Sequence, residues 1–276
     1  MTKMFAAVSE LYASYWGDFF HFAIFEDGSQ SYEEALKKTH DKYMAELKIA
    51  DARRVLDLAC GRGGFADLMA QNTKGRVLGV DISKSQLSHA KRFKRENLEF
   101  KIHDVAKADE LDGKFDAVSF MDAALYLPDK AAAIRKISSV MDKGARLLLI
   151  EWCKKPGLSN VQEELVLHPF MRYWAAPNLE THRNYERFIE DAGLRILDST
   201  DLNDKIAANW NRGYANALKA VEELSLSDAA KMVWKGLRLG KEGIRLIKEQ
   251  FPAALYIKAG FDIGFLRYVH ILAQKK

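Results

Sequence analysis

Cysteine is scarce. Cys60 and Cys153 are the only two in 276 residues, which excludes a disulfide framework and a cysteine zinc pattern. A reducing compartment fits, and the expected location is cytoplasmic. There is little excess of either charge. Lys+Arg number 42 against 38 Asp+Glu, a formal net charge of +4, so no nucleic-acid partner is expected. No run stays apolar for about 18 residues, the length a spanning helix needs. The N-terminus lacks a basic start with a clean apolar run, since Glu10 and Asp18 interrupt it, so no secretory signal is expected. Proline is rare too: five in all, and three of them (Pro156, Pro169, Pro177) fall close together.

Hydrophobic residues make up 48% of the chain, enough for a sizeable core without staples. The first 31 residues are rich in aromatics, and Tyr32, Leu36, His40, Tyr43, Met44 and Leu47 then recur at helical spacing. From residue 53 short β-rich runs at 54–58, 76–81, 98–102, 115–120 and 145–151 alternate with helical patterns. These helices are marked by Phe65, Leu68 and Met69, by Leu87, Ala90 and Phe93, and by Ile134, Ile137 and Met141, the last ended by Gly144. Such alternation predicts a parallel sheet covered on both faces, an α/β fold.

The organisation expected is a helical N-terminal lid over 1–50, a core over 51–152, and an insertion over 153–182. A core helix and strand follow over 183–204, then a helical substrate cap over 205–260 and a final strand over 261–276. Pro252 is expected to end the long helical stretch of 206–251.

The segment Asp57-Leu-Ala-Cys-Gly-Arg-Gly-Gly64 follows an apolar strand and precedes a helix. Gly61 and Gly63 allow a sharp turn and close approach to a ligand, at the strand end where open α/β sheets bind ligands. Gly61-x-Gly63-x-x-Ala66 also fits the loose dinucleotide pattern, which alone is weak. Asp57 decides against it, because a carboxylate there repels a pyrophosphate. S-adenosylmethionine carries no phosphate but an ammonium and a sulfonium, which an acid favours. The plainer alternative is that Asp57 caps the next turn or helix. Two further acids fall in step. Asp81 ends the second strand, where an acid can accept both ribose hydroxyls. Asp104 follows the third strand and can accept the adenine amino proton.

This constellation resembles the class I S-adenosylmethionine-dependent methyltransferases. Their D-x-G-x-G-x-G motif is matched as Asp57-Leu-Ala59-Cys-Gly61-Arg-Gly63, with Ala59 in place of the first glycine. The resemblance implies a seven-stranded Rossmann-like sheet with helices on both faces, plus N-terminal helices and helical cap insertions. It places Asp81 on the ribose with Ile82 beside the adenine, and Asp104 on the adenine with Val105 near it. Phe115-Asp-Ala-Val-Ser-Phe-Met121 corresponds to the strand-four motif. Within the class the chain looks most like the tocopherol-, sterol- and ubiquinone-type small-molecule enzymes. Met121-Asp-Ala-Ala-Leu-Tyr-Leu-Pro-Asp-Lys130 is similar to their M-E-x-x-x-H-M-P-D-K stretch, with Asp122 for Glu and Tyr126 for His. Tyr15-Trp-Gly-Asp-Phe-Phe-His-Phe22 is similar to their aromatic N-terminal segment. By this likeness Met121 and Tyr15 join the cofactor contacts, and the activity implied is methyl transfer to a small molecule.

Transfer from a sulfonium needs orientation more than acid–base chemistry, and a base only where the acceptor must lose a proton. The candidate catalytic groups are Tyr126, read as an orienting hydroxyl, and His21 and His168, with His182 also weighed as a base. For the histidines packing is the commoner role. Trp152, Phe170, Met171, Tyr173, Trp174 and Trp210 offer aromatic and apolar surface for an aromatic or lipid-like acceptor. Lys231, Lys235, Arg238, Lys241, Arg245 and Lys248 make a basic stripe. It is usually a solvated face, and peripheral membrane contact through residues 229–250 is the alternative. The competing functional readings are a methyltransferase acting on RNA or protein, and a non-catalytic binder of S-adenosylmethionine.

Overall fold

The computed structural model describes residues 17–19, 21–27, 30–223, 234 and 252–276. Tyr15 and nearly all of the basic stretch 229–250 lie outside the described residues. Helix α1 (Tyr32–Glu46) begins at a capping box, Ser31 accepting from the Glu34 N–H. The core then alternates β1 (Arg54–Leu58), α2 (Gly64–Gln71), β2 (Arg76–Asp81), α3 (Lys84–Ala90), β3 (Leu98–Ile102), β4 (Phe115–Met121), α4 (Lys130–Ser139) and β5 (Met141–Lys154). The run 160–174 follows, with a π-helical turn at Glu163–Leu167 leading into α5 (His168–Trp174). The chain then forms α6 (His182–Asp191), β6 (Leu194–Asp201), α7 (Asn203–Glu222) and a helical segment at 252–262, and ends on β7 (Leu266–Lys275).

All seven strands join one sheet in the order β3-β2-β1-β4-β5-β7-β6. β1 to β5 run parallel, and β7 enters antiparallel between β5 and β6. The sheet is therefore mixed, where alternation alone predicted a parallel one. The parallel centre needs helical crossovers, and these cover both faces. Side-chain alternation sends Val55, Val77, Ala117 and Leu148 into one core and Leu56, Val80, Val118 and Leu149 into the other.

Two boundaries differ from the periodicity. α4 stops at Ser139, not Gly144, because Met141 already pairs with Phe115 at the start of β5. An apolar residue at a strand start satisfies a helical repeat by coincidence. Pro252, expected to end a helix, stands instead at the first of the described helical residues 252–262. No helix among the described residues is long and apolar enough to cross a membrane, and none of their side chains forms a group of three metal ligands.

Candidate active site

The β1–α2 loop is built from residues with left-handed backbone: Ala59 (φ 54°), Gly61 (φ 55°) and Gly63 (φ 82°). At Gly63 the reason is double. A Cβ there would stand 2.7 Å from the Phe100 ring and 2.8 Å from the Ala90 methyl, so the position tolerates neither the conformation nor the volume of a side chain. Ala59 adopts the same backbone region with a methyl group, at a cost of roughly 1–2 kcal/mol.

The three acids behind this loop are positioned differently. Asp81 accepts from the Gly61 N–H at 2.9 Å and the Ser83 N–H at 2.7 Å, tying the loop to the start of α3. Asp104 caps the short 3-10 turn Val105–Glu110 through the Ala106 N–H at 2.9 Å. Asp57 is buried and accepts from the Ser119 hydroxyl at 2.6 Å. Burial, with Asp81 close by, pushes its carboxyl up to about 7, while Ser119 and the Ala66 N–H pull the other way. Ala66 lies in the first turn of α2, so Asp57 also does the capping work that was its plainer reading. Burial raises Asp81 as well.

These acids line one cavity with Ala59, Gly61, Ile82, Val105, Met121, Tyr126 and His21. The structure thus brings together every described residue assigned to the cofactor except Gly63, which backs the loop. No described Lys or Arg forms an ion pair with Asp57 or Asp81, so both are buried acids in want of a cation. A ligand bearing an ammonium and a sulfonium fits that field, and a pyrophosphate does not.

The histidine assignments divide. His21 lines the cavity, and its Nε2 lies 2.6 Å from His40 Nε2, one ring donating to the other. Burial, then repulsion from His40, holds His21 well below the ordinary imidazole range, and burial takes His40 down to about 4. Both are neutral near pH 7. His168 is not part of the site: it is exposed at the start of α5 and does not line the cavity. The helical run turns it outward while Leu167 and Phe170 face the core. His182 sits near Ser199, 2.7 Å from its hydroxyl, and is absent from the cavity wall. His270 is fully buried in β7 between Glu46 and Asp198, at 2.7 and 3.1 Å, and is structural.

Away from the three acids the cavity wall is aromatic. Trp152, Trp174, Trp210, Tyr214 and Phe22 line it with Ile257. The rings brace one another, Trp152 stacking on Phe170 at 5.6 Å and Trp210 on Phe261 at 4.3 Å. Asp122 belongs to this aromatic end, hydrogen-bonded to Trp152 and Tyr268. Its backbone is left-handed (φ 53°), and its carboxylate accepts from Trp152 Nε1 at 2.6 Å and from the Tyr268 hydroxyl at 2.8 Å. Burial lifts it to about 7 against these two donors.

Several site residues escaped sequence reasoning. Asp122 had a signal, since it occupies the family's Glu position. Asp18 had none: it lines the cavity and is held by Arg62 and Arg92. Gln86 had none either; it is buried in the first turn of α3, lines the cavity, and its Oε1 lacks a partner among the described residues. Glu151 is fully buried outside the cavity wall and accepts from the Leu125 and Trp152 N–H groups at 3.1 and 2.7 Å, holding the turn that carries Tyr126.

A nucleotide-type α/β fold with an acidic strand-end cradle defines the class. Residues 49–193 match the methyltransferase domain family model, and the chain belongs to that family as an S-adenosylmethionine-dependent methyltransferase. Among curated proteins it is 22% identical to the chloroplastic tocopherol O-methyltransferase of Arabidopsis thaliana, over 100% of this chain and 81% of that protein. It is 28% identical to the sterol 24-C-methyltransferase erg6 of Aspergillus fumigatus, over 83% of this chain and 63% of that protein. Among solved structures it resembles the [4+2]-cyclase SpnF at a TM-score of 0.78 and 19% identity, covering 99% of this chain and 95% of that one. It also resembles the mycolic acid cyclopropane synthase CmaA1, complexed with S-adenosylhomocysteine and CTAB, at 0.74 and 15%, covering 93% and 90%. At such identities these structures speak to the fold, and a cyclase among them shows that the fold alone does not fix the reaction.

Proposed function

We propose that the protein methylates a small hydrophobic or aromatic acceptor held between Tyr126 and the tryptophan wall. The observation that carries this is the single cavity running from Asp57, Asp81 and Asp104 to Trp152, Trp174 and Trp210. S-adenosylmethionine supplies a methyl group already activated by its sulfonium. The chain's own work is to hold and align. Asp81 and Asp104 would take the ribose and adenine, with Ile82, Val105 and Gln86 around the base, and Asp57 and the glycine loop would face the amino-acid end. The tryptophan wall orients the acceptor and excludes water, which favours in-line displacement. Tyr126 on the short turn Ala124–Tyr126 is placed to orient the acceptor atom. In this reading residues 153–182, through Trp174, and 205–260, through Trp210, Tyr214 and Ile257, select the acceptor.

The relatives' names, a tocopherol and a sterol methyltransferase, support a small apolar acceptor over RNA or protein, as does a cavity lined by rings rather than a basic surface. The test is release of S-adenosylhomocysteine with a panel of aromatic and isoprenoid acceptors. Turnover with at least one of them, with KM raised about tenfold in Trp174→Ala, is expected. Turnover only with RNA or a protein substrate would reject the reading.

A further inference from the structure

The cavity's charge is one-sided. Five carboxylates line it (Asp18, Asp57, Asp81, Asp104 and Asp122) and no described Lys or Arg does. Four have occupations. Asp18 is paired with Arg62 and Arg92, Asp104 caps its turn, and Asp57 and Asp81 face the cofactor's end. Asp122 is left over. It lies at the acceptor end, its two hydrogen-bond donors are neutral, and no cation among the described residues pairs with it. A buried carboxylate without a cation is costly to keep unless a ligand supplies the charge. Phe22, Trp152, Trp174 and Trp210 line the same cavity, and aromatic rings attract ammonium groups.

Resting on the proposed small-molecule reading, we infer that the acceptor is a hydrophobic amine, and that Asp122 binds its ammonium and takes its proton. The ammonium gives one proton to the Asp122 carboxylate. The freed nitrogen lone pair forms its bond to the methyl carbon as the methyl–sulfur bond breaks, and the sulfur keeps the electron pair. The product leaves as a methylated ammonium, and the proton on Asp122 passes to water. One positive charge enters with the amine, one with the sulfonium and one negative charge with Asp122; a single positive charge leaves on the product. Anionic acceptors, such as phosphates and carboxylates, are disfavoured by the same field.

Calorimetry with three naphthalene probes of matched shape tests this on the S-adenosylhomocysteine complex at about pH 8, where an acid of this strength is ionised. The probes are 1-naphthylmethylamine, 1-naphthalenemethanol and 1-naphthoate. The amine is expected to bind at least tenfold tighter than the alcohol, and the carboxylate not measurably. In Asp122→Asn the preference for the amine disappears while the alcohol's affinity holds. Asparagine suits the variant because it tolerates left-handed backbone and keeps an acceptor for Trp152. Equal or tighter binding of the alcohol overturns the inference, as does failure of the amine to bind, or a variant in which both probes weaken alike. If Asp122→Asn weakens S-adenosylmethionine binding and leaves the probes unmoved, the carboxylate belongs to the cofactor and the inference falls. Methyl transfer to phenols or carbon acceptors but never to amines would sink it while leaving the proposed function standing.

Discussion

The two ends of the cavity are assembled on different scales of sequence. At the cofactor end two of the three acids are fixed mainly by near neighbours: Asp81 by Ser83 and Asp104 by Ala106, each two residues on, with Gly61 twenty residues from Asp81, while Asp57 reaches Ser119 across 62. At the acceptor end Asp122 is fixed by Trp152 and Tyr268, 30 and 146 residues away, and Phe22 donates its N–H to the Tyr268 hydroxyl across 246. A cradle made of local turns can be kept by a short motif. A wall made of rings from four distant segments depends on the whole fold being right, and each ring can change without disturbing the cradle. The difference teaches how the aromatic end of such a cavity can vary while the acidic end is kept.

The contrast breaks most visibly if the cradle is not in fact rigid. Gly63→Val puts a branched side chain into left-handed backbone and against Phe100 and Ala90. It is expected to destabilise the protein by about 2–5 kcal/mol in chemical denaturation and to abolish binding of S-adenosylmethionine. A stable, binding-competent variant would mean that the loop relaxes freely. Asp81→Ala comes next. Loss of the ribose acceptor should weaken S-adenosylmethionine by on the order of 1–3 kcal/mol by calorimetry. Asp81→Asn, which keeps an acceptor for the backbone, separates that loss from the loosening of the loop. Unchanged affinity in both would put the ribose elsewhere.

Legibility followed the same division. The central parallel strands were visible because strands buried on both faces read as short apolar runs, and β3, half exposed at the sheet edge, by its place in the alternation; Asp57, Asp81 and Asp104 were visible because each stands at or just past the end of such a run. The antiparallel entry of β7 was not visible, since an apolar run carries no direction. His21 showed itself through its aromatic N-terminal segment; its partner His40 is settled by how α1 packs. His168 misled because aromatic neighbours such as Phe170 and Trp174 imply a covering segment without saying which face turns inward. Gln86 and Glu151 left no trace, as a polar residue in a helix or an acid in an apolar strand acquires meaning only from its burial.

The acids at the two ends should also differ in what they do to stability. Glu151, on the acceptor side, is fully buried, and burial with Asp122 nearby raises its carboxyl from 4.5 to about 8. Lys130 is close, but its Nζ is engaged by the Leu127 and Asn178 carbonyls. Between those two values the folded protein keeps a proton that the unfolded chain has lost. Stability is therefore fullest below the lower value and falls as pH rises toward the upper one, by about 1.4 kcal/mol per pH unit for one proton. Asp57 and Asp122, raised from 3.8 to about 7, add slopes of the same sign up to that value, so Glu151→Gln is read as denaturation midpoints between about 7 and about 8, where it removes the slope. A slope unchanged in the variant would mean that Glu151 is ionised in the folded protein.

The smallest effect addresses the one irregular residue of the cradle. Ala59 holds φ 54° where the family has glycine. Replacing it with glycine removes the steric penalty of a Cβ in left-handed backbone, roughly 1–2 kcal/mol. Two losses oppose this. The unfolded chain gains freedom worth about 0.4–1 kcal/mol, and the Ala59 methyl gives up its packing against the core that holds Leu58 and Val80. The balance favours Ala59→Gly by about 0.5 kcal/mol, with S-adenosylmethionine affinity unchanged because the backbone path is already the one glycine would take. A rise in the denaturation midpoint of that order would show that the alanine is tolerated strain in a cradle fixed by its other members. A fall would show that the methyl's packing outweighs the strain, and then even the cofactor end draws part of its shape from the core behind it.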